Sequence, residues 1–343
     1  MNPRTLIVYC ATLAALLAPA AARAGVLDTV KQRGVLNCGT DNTAPGFGYL
    51  NTKTGQMEGL DVDFCKAMAT AVLGSPDKVR FVVVTDKSRF NALQTGQVDV
   101  VFAHTTVTPV RESAIGIEFL PINFYDGTGL MIKTSTDVKS VNELAGATIC
   151  TTQGSATEST LAGVIKARNL TGIKVLTFES LEKLFAALES GRCNAMSTDK
   201  SALASWRGNS GKPGDYTILA ETLDKSPFAG FVVANDSKWR NILRWAVFAL
   251  FQAEESNVTS ANIDEVVKTS DPFMQKFLGV NSGFGVDFGV SNKFVYDMVK
   301  AVGNYGEIYS RNLGPKTPYF IDRANTPNAS WGHGGAEYSP PWN

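Results

Sequence analysis

Short β-branched runs alternate along this chain with longer stretches whose apolar residues fall three and four apart. That pattern predicts strands alternating with helices. Val35 to Thr40 reads as a buried strand. Gly59-Leu60-Asp61-Val62-Asp63 leads into a helix with Phe64, Ala67, Met68 and Ala71 on one face, and Gly74-Ser75-Pro76 ends it. Asp61 or Asp63 is expected at the N-cap, because a carboxylate accepts the orphan amide protons of a first turn. Val79 to Thr85 is a second strand, Phe90, Leu93 and Gly96 mark the next helix and its stop, and Val98 to Ala103 is a third strand. Strand–helix–strand–helix–strand implies parallel strands joined by right-handed crossovers.

The pattern then repeats. LFAALESGRCNAMSTDKS, from Leu184 to Ser201, aligns without a gap beneath RFNALQTGQVDVVFAHTT, from Arg89 to Thr106. Phe185 falls under Phe90, Ala187 under Ala92, Leu188 under Leu93, Gly191 under Gly96 and Asp199 under His104. Upstream, GVLNC (Gly34–Cys38) resembles GATIC (Gly146–Cys150). The second copy holds a strand over Ala147–Thr151, a helix over Ala156–Arg168, a strand over Lys174–Phe178, a helix face at Leu181, Leu184, Phe185 and Leu188, and a strand over Cys193–Thr198. A duplicated unit predicts two similar lobes with a cleft between them. Segments near Phe124–Gly127 and Thr222–Ser226 carry the chain across, so the first lobe is discontinuous. Trp239 to Ala253 has helical spacing, and Phe294 to Ile308 has room for another helix. The tail from Pro315 is rich in Pro, Gly and Asn, but Tyr319, Phe320, Trp331, Tyr338 and Trp342 predict that it packs.

Composition narrows the setting. Residues 1–24 read as a secretory signal, with Arg4, an apolar run from Leu6 to Leu17 and Ala22-Arg23-Ala24 as the cleavage site. The run is too short to serve as a membrane anchor. The 343 residues carry 32 basic and 32 acidic side chains, without a basic stripe, so nucleic acid is not an expected partner. Beyond the leader stand Cys38, Cys65, Cys150 and Cys193. Export favours disulfides, and four cysteines allow three pairings. The two-lobe reading selects Cys38–Cys65 and Cys150–Cys193, each pair within one copy. No Cys-x-x-Cys spacing suggests zinc, and no cofactor is implied.

Ligands of open parallel α/β sheets bind beyond the carboxyl ends of the strands. That rule selects Gly39–Phe47, Ala103–Arg111, Gln153–Thr157 and Ser197–Lys200, all expected to line one cleft. Arg111 can bind a carboxylate through paired hydrogen bonds. The loop at Ser155 precedes a helix whose amino end attracts anions. Asp199 supplies one opposing acid, and together these groups suit a zwitterion. Catalytic signals are thin: His104 and His333 are the two histidines, and no organised nucleophile accompanies either.

RGVLNCGT, EGLDVDFCKAMATAVLG, TTVTPVR, FYDGTGLMIK, QGSATE and the closing YSPPW carry a resemblance over nearly all of the chain beyond the leader. The sequence resembles periplasmic solute-binding proteins of the polar amino acid ABC transporters, most of all their general L-amino acid-binding branch. The resemblance implies an α/β, two-lobed periplasmic-binding-protein fold of type II, with two doubly wound sheets joined by a two-strand hinge. Expected boundaries are 25–124 and 225–280 for lobe 1, 125–224 for lobe 2, and 281–343 for a C-terminal extension. It implies a periplasmic monomer, not inserted in the membrane, that hands an L-amino acid to a membrane permease. By position, Thr106 and Arg111 match residues holding the α-carboxylate, with the Ser155 loop. Asp199, helped by the backbone near His104, matches the acid that holds the α-amino group. Asp41 matches a position facing the ligand side chain. Ala44 and Asp86 stand where relatives often have aromatics, which makes Asp41 and Asp86 the candidate side-chain contacts. An exported dehydratase-type enzyme on the same fold is the alternative, since function lives in the site.

Overall fold

The structure, a computed structural model, describes residues 25–281 and 283–342. The signal read at residues 1–24 lies outside the described residues. After helix α1 (Val26–Arg33), strand β1 (Leu36–Thr40) forms the middle of the first half-sheet. It runs parallel to β5 (Val79–Val83) on one side and to β6 (Val100–Val101) on the other. A small antiparallel sheet, β2 (Thr43–Ala44), β3 (Gly48–Asn51) and β4 (Gln56–Glu58), precedes helix α2 (Leu60–Leu73), and α3 (Arg89–Gln94) joins β5 to β6. Helix α4 (Pro109–Ile115) then leads into β7 (Ile117–Lys133), the longest strand at 17 residues.

The second unit repeats the plan: β8 (Thr148–Thr152), α5 (Ala156–Ala167), β9 (Lys174–Phe178), α6 (Leu181–Glu189), β10 (Ala195–Asp199), α7 (Lys200–Asn209) and β11 (Tyr216–Ile218). Strand β12 (Asp224–Val233) returns antiparallel to β7, with Asp224 opposite Thr128 and Val233 opposite Ile117. The strands follow one hydrogen-bonded path, β5-β1-β6-β12-β7-β10-β8-β9. The two half-sheets are therefore continuous through β7 and β12, the pair that crosses between the lobes. Helix α8 (Ser237–Glu255) and then α9 (Phe294–Val302) and α10 (Tyr305–Leu313) follow.

Helix α2 is buried nearly all round, because it lies between β1, α8 and α9. Neither Asp61 nor Asp63 caps it. The helix starts at Leu60 with Gly59 at the N-cap, at φ 131°. A Cβ on Gly59 would lie 1.9 Å from the Phe47 carbonyl oxygen, so the close approach of the β2–β3 turn demands glycine there. This displaces both aspartates into the first turn, where they serve partners elsewhere: Asp61 accepts from the His104 amide, and Asp63 from Arg311 and Asn312. The third strand is shorter than its pattern at both ends, Val100–Val101 against Val98–Ala103, although the Phe102 amide still donates to the Gly39 carbonyl of β1. The single helix expected over Phe294–Ile308 is two, broken at Gly303 and restarted by an Asn304–Glu307 capping box.

Cys38–Cys65 ties β1 to α2, and Cys150–Cys193 ties β8 to the entry of β10. The tail packs. Arg323 stacks on Tyr305 and Tyr309 and pairs with Glu254, and Trp342 inserts against Trp245 and Phe277. Asn328 makes two hydrogen bonds with the crossing strand, accepting from the Tyr125 amide at 2.6 Å and donating to its carbonyl at 2.9 Å. Among the described residues no helix is long and apolar enough to cross a membrane.

Candidate functional site

The strand ends of both units meet at a cleft. A cavity of about 990 Å³ is lined by Asp86 and Phe90, by Thr106 to Arg111, and across from them by Gly154, Ser155 and Ala156. From there it follows one face of α5 through Ser159, Thr160, Gly163 and Ala167 to Arg168 and reaches Asp224 and Lys225 on β12. Asp41, His104 and Asp199 do not line this cavity. They form a charged cluster beside it, in which His104 lies within electrostatic range of Asp41, Asp61, Asp86 and Asp199.

Arg111 is buried in the first turns of α4. Thr108 caps that helix, and Pro109 follows, which suits a first helical position. One guanidinium nitrogen donates to the Thr106 carbonyl at 2.6 Å, and the group lies over Phe90. Burial, with the charge of Arg89 next, pulls its pKa down to about 9, so it stays a cation at neutral pH. Among the described residues Arg111 has no carboxylate ion-pair partner.

Asp199 ends β10 and is buried. Its Oδ1 accepts from the Ser226 hydroxyl at 2.6 Å, and Ser226 also meets the Thr106 hydroxyl at 2.8 Å. A chain of hydroxyls therefore links the second-lobe acid to the first lobe through the crossing strand. Burial, and then the neighbouring charge of Asp126, raise the Asp199 carboxyl to about 7. Asp126 is raised as well, chiefly by burial, although Ser201 and Gly127 hydrogen-bond to it. Asp199 too has no ion-pair partner among the described residues.

Ser155 is fully occupied. Its hydroxyl donates to the Thr152 carbonyl at 2.7 Å, accepts from the Glu158 amide at 3.0 Å and meets the Thr157 hydroxyl at 2.8 Å. It builds the start of α5, so what the loop offers an anion is its backbone. The amides of Ala156 and Thr157 have no acceptor among the described residues, as first-turn amides do. Asp41 forms a local turn, accepting from the Thr43 amide at 2.5 Å and hydroxyl at 2.9 Å. Burial raises its pKa above the ordinary value. Asp86 pairs with buried Arg89 at 2.7 Å. Burial pushes its carboxyl up, but Arg89, His104, Thr152 and Arg111 together hold it below the usual range.

His104 is fixed through both its backbone and its ring. Its backbone has φ 35°, its amide is used by Asp61, and its ring meets the edges of Phe47 and Phe228. Burial raises Asp61 to about 6 despite the nearby histidine. Sequence reasoning missed Arg89, Asp126, Thr152 and Ser226. Arg89 opens an apolar helix and reads as a solvated residue, although its position three residues after Asp86 was a usable sign. Ser226 carries no local signal, since its partners are 27 and 120 residues away.

Two lobes, a crossing pair of strands and a charged cleft at the strand ends define a solute-binding protein. The chain belongs to the bacterial extracellular solute-binding proteins, family 3, whose profile matches residues 36–276. It is 41% identical over 323 residues to the general L-amino acid-binding periplasmic protein AapJ of Rhizobium johnstonii, covering 94% of each chain. It is also 41% identical to the glutamate/glutamine/aspartate/asparagine-binding protein BztA of Rhodobacter capsulatus, over 96% of each. A solved ABC transporter periplasmic binding protein from Brucella ovis, with glutathione bound, superposes with a TM-score of 0.88 at 39% identity, over 93% of this chain and 99% of that one.

Protonation at the site has a binding signature. If Asp199 is the group that meets a ligand ammonium, it must be ionised, and in the free protein that costs energy below about pH 7. Amino acid affinity is therefore expected to rise as pH climbs from about 5 to 7 and then level off. Below pH 7 binding releases a proton. Calorimetry in two buffers of different ionisation enthalpy measures that proton. Affinity that falls between pH 5 and 7 contradicts the assignment.

Proposed function

We propose that this protein is the periplasmic binding component of an ABC importer for L-amino acids, and that it grips the zwitterion between Arg111 and Asp199 before handing it to the permease. One observation carries the site reading: a guanidinium lining the cavity from one side and a carboxylate in the charged cluster beside it are both buried, and neither has an ionic partner among the described residues. Buried charges are costly unless paired. A zwitterion supplies both partners at once. The α-carboxylate takes the free donors of Arg111 and the amides at the start of α5, and the α-ammonium takes Asp199. The Thr106 hydroxyl, held by Ser226, completes the carboxylate side, and Asp41 faces the ligand side chain. Lobe 1 takes residues 25–124 and 225–280, lobe 2 residues 125–224, with 281–343 packed upon them as an extension. The protein binds and releases its ligand unchanged. The names of the Rhizobium and Rhodobacter relatives support an amino acid ligand.

A second reading is a larger, peptide-like ligand. The cavity continues past Ser155 along the small residues of α5, well beyond the room one amino acid fills, and the Brucella relative holds glutathione. Mass spectrometry of whatever is released from the purified protein on denaturation, followed by calorimetry with amino acids and glutathione, separates the two. A bound, unaltered amino acid is expected. Turnover of a small carboxylic acid in place of binding overturns the transport reading.

A further inference from the structure

The family profile ends at residue 276, and the chain runs on to residue 343. The part beyond is fixed to the first lobe. Arg311 and Asn312 of α10 hold Asp63 of α2. The Tyr309 hydroxyl donates to the Ile321 carbonyl at 3.1 Å, and the Ile321 amide donates to the Leu313 carbonyl at 3.0 Å. From that anchorage Pro318 reaches the second lobe. A Cβ added to Gly208, in the last turn of α7, would lie 2.3 Å from the Pro318 carbonyl oxygen. Gly208 stands in regular helix without a positive φ, where glycine is a poor choice on propensity. The close approach of Pro318 is what requires it. Two residues earlier, the Trp206 indole donates to the Thr43 carbonyl of β2 at 3.2 Å, while its ring stacks on Phe185 of α6 with centroids 5.3 Å apart. The two partners are neighbours on the first lobe as well. A Cβ on Gly46, in the turn after β2, would lie 2.7 Å from Leu313 and 3.4 Å from Tyr319, the residue after Pro318.

We propose that the C-terminal extension, at Pro318, and β2, at Thr43, together form the seat on which α7 comes to rest as the cleft closes, so that the extension helps to set the balance between open and closed states. This rests on the two-lobe reading of the cleft. Trp206 and Gly208 belong to the second lobe, whereas Thr43 and the anchored extension go with the first. Both contacts are therefore given up when the lobes part. The closed state keeps one indole hydrogen bond and one close backbone approach that the open state surrenders to water. None of the four residues lines the large cavity between the strand ends. The seat accordingly acts on every ligand alike, because it touches none of them. A ligand contact would instead reorder the preferences.

Gly208→Ala fills the seat and, by propensity, strengthens α7 itself. Across a panel of amino acids it is expected to weaken each by the same factor, about tenfold. Trp206→Phe keeps the stack on Phe185 and removes the N–H, and is expected to cost each ligand about fivefold. In both variants the change should sit in the dissociation rate. A second arm needs no ligand: paired spin labels, one on each lobe, should report a wider mean separation in both variants than in the parent. A packing fault confined to α7 would lower the unfolding midpoint and leave the label distances at the parental value, which overturns the seat. A reordered panel, or parental affinities in Gly208→Ala, overturns it too. If the panel fails to bind the parent, the amino acid reading falls, and the label distances still decide the seat.

Discussion

Arg111→Ala and Asp199→Ala are each expected to leave the protein folded and to remove nearly all amino acid binding. Each deletion strands one ligand charge in a closed cleft. Breaking a buried charge pair in this way costs roughly 3–5 kcal/mol, or about two to four orders of magnitude in affinity. Neither the helix that carries Arg111 nor the one that follows Asp199 depends on these side chains. Thr108 caps α4, and the Asp199 carboxylate makes no capping bond to α7. Calorimetry beside thermal unfolding separates the two effects. Parental affinity in either variant, with the fold intact, shows that the zwitterion is held elsewhere. The loss should be the same for every amino acid, because all share the groups concerned.

Opening the disulfides is expected to give the largest change in stability. Cys38–Cys65 spans 27 residues and Cys150–Cys193 spans 43. By loop entropy each bridge is worth roughly 3–4 kcal/mol. Paired Cys→Ala variants, one bridge at a time, should lower the denaturant midpoint in each case. Peptide mapping without reduction tests the pairing itself. Because each bridge lies within one of the repeated units, removing it is expected to leave the closing motion intact. Unchanged denaturation midpoints, or a map with Cys38 joined to Cys150, contradict this reading.

Much of the fold was legible because the chain repeats itself. Once Leu184–Ser201 lay beneath Arg89–Thr106, the strand ends that form the cleft followed from topology alone. Lys174–Phe178 was read with both of its ends in place, since a β-branched run bounded by turns leaves little choice. The start of α2 was misread because an N-cap rule is local, whereas Gly59 answers to the Phe47 backbone twelve residues earlier. At the site, the sequence singled out Arg111 and Asp199 as opposite charges beyond the strands, and the structure buries both. What each group touches was not legible. Ser155 turned out to be spent on its own helix, and Asp86 on Arg89. The hydroxyl chain through Ser226 exists only once two distant strands are side by side.

The side chain of Asn328 has a consequence for the crossing strands. At Tyr125, β7 has β12 on one side, while β10 joins its other side only from Thr128 onward. That stretch is an unpaired edge, the kind of surface on which a second chain can add a strand and begin to aggregate. A full third strand would cover it but would also stiffen the part of the molecule that bends. One amide, donating to and accepting from the Tyr125 backbone, imitates a neighbouring strand for the length of a single residue. It blunts the edge against other copies of the chain at the one residue where it sits.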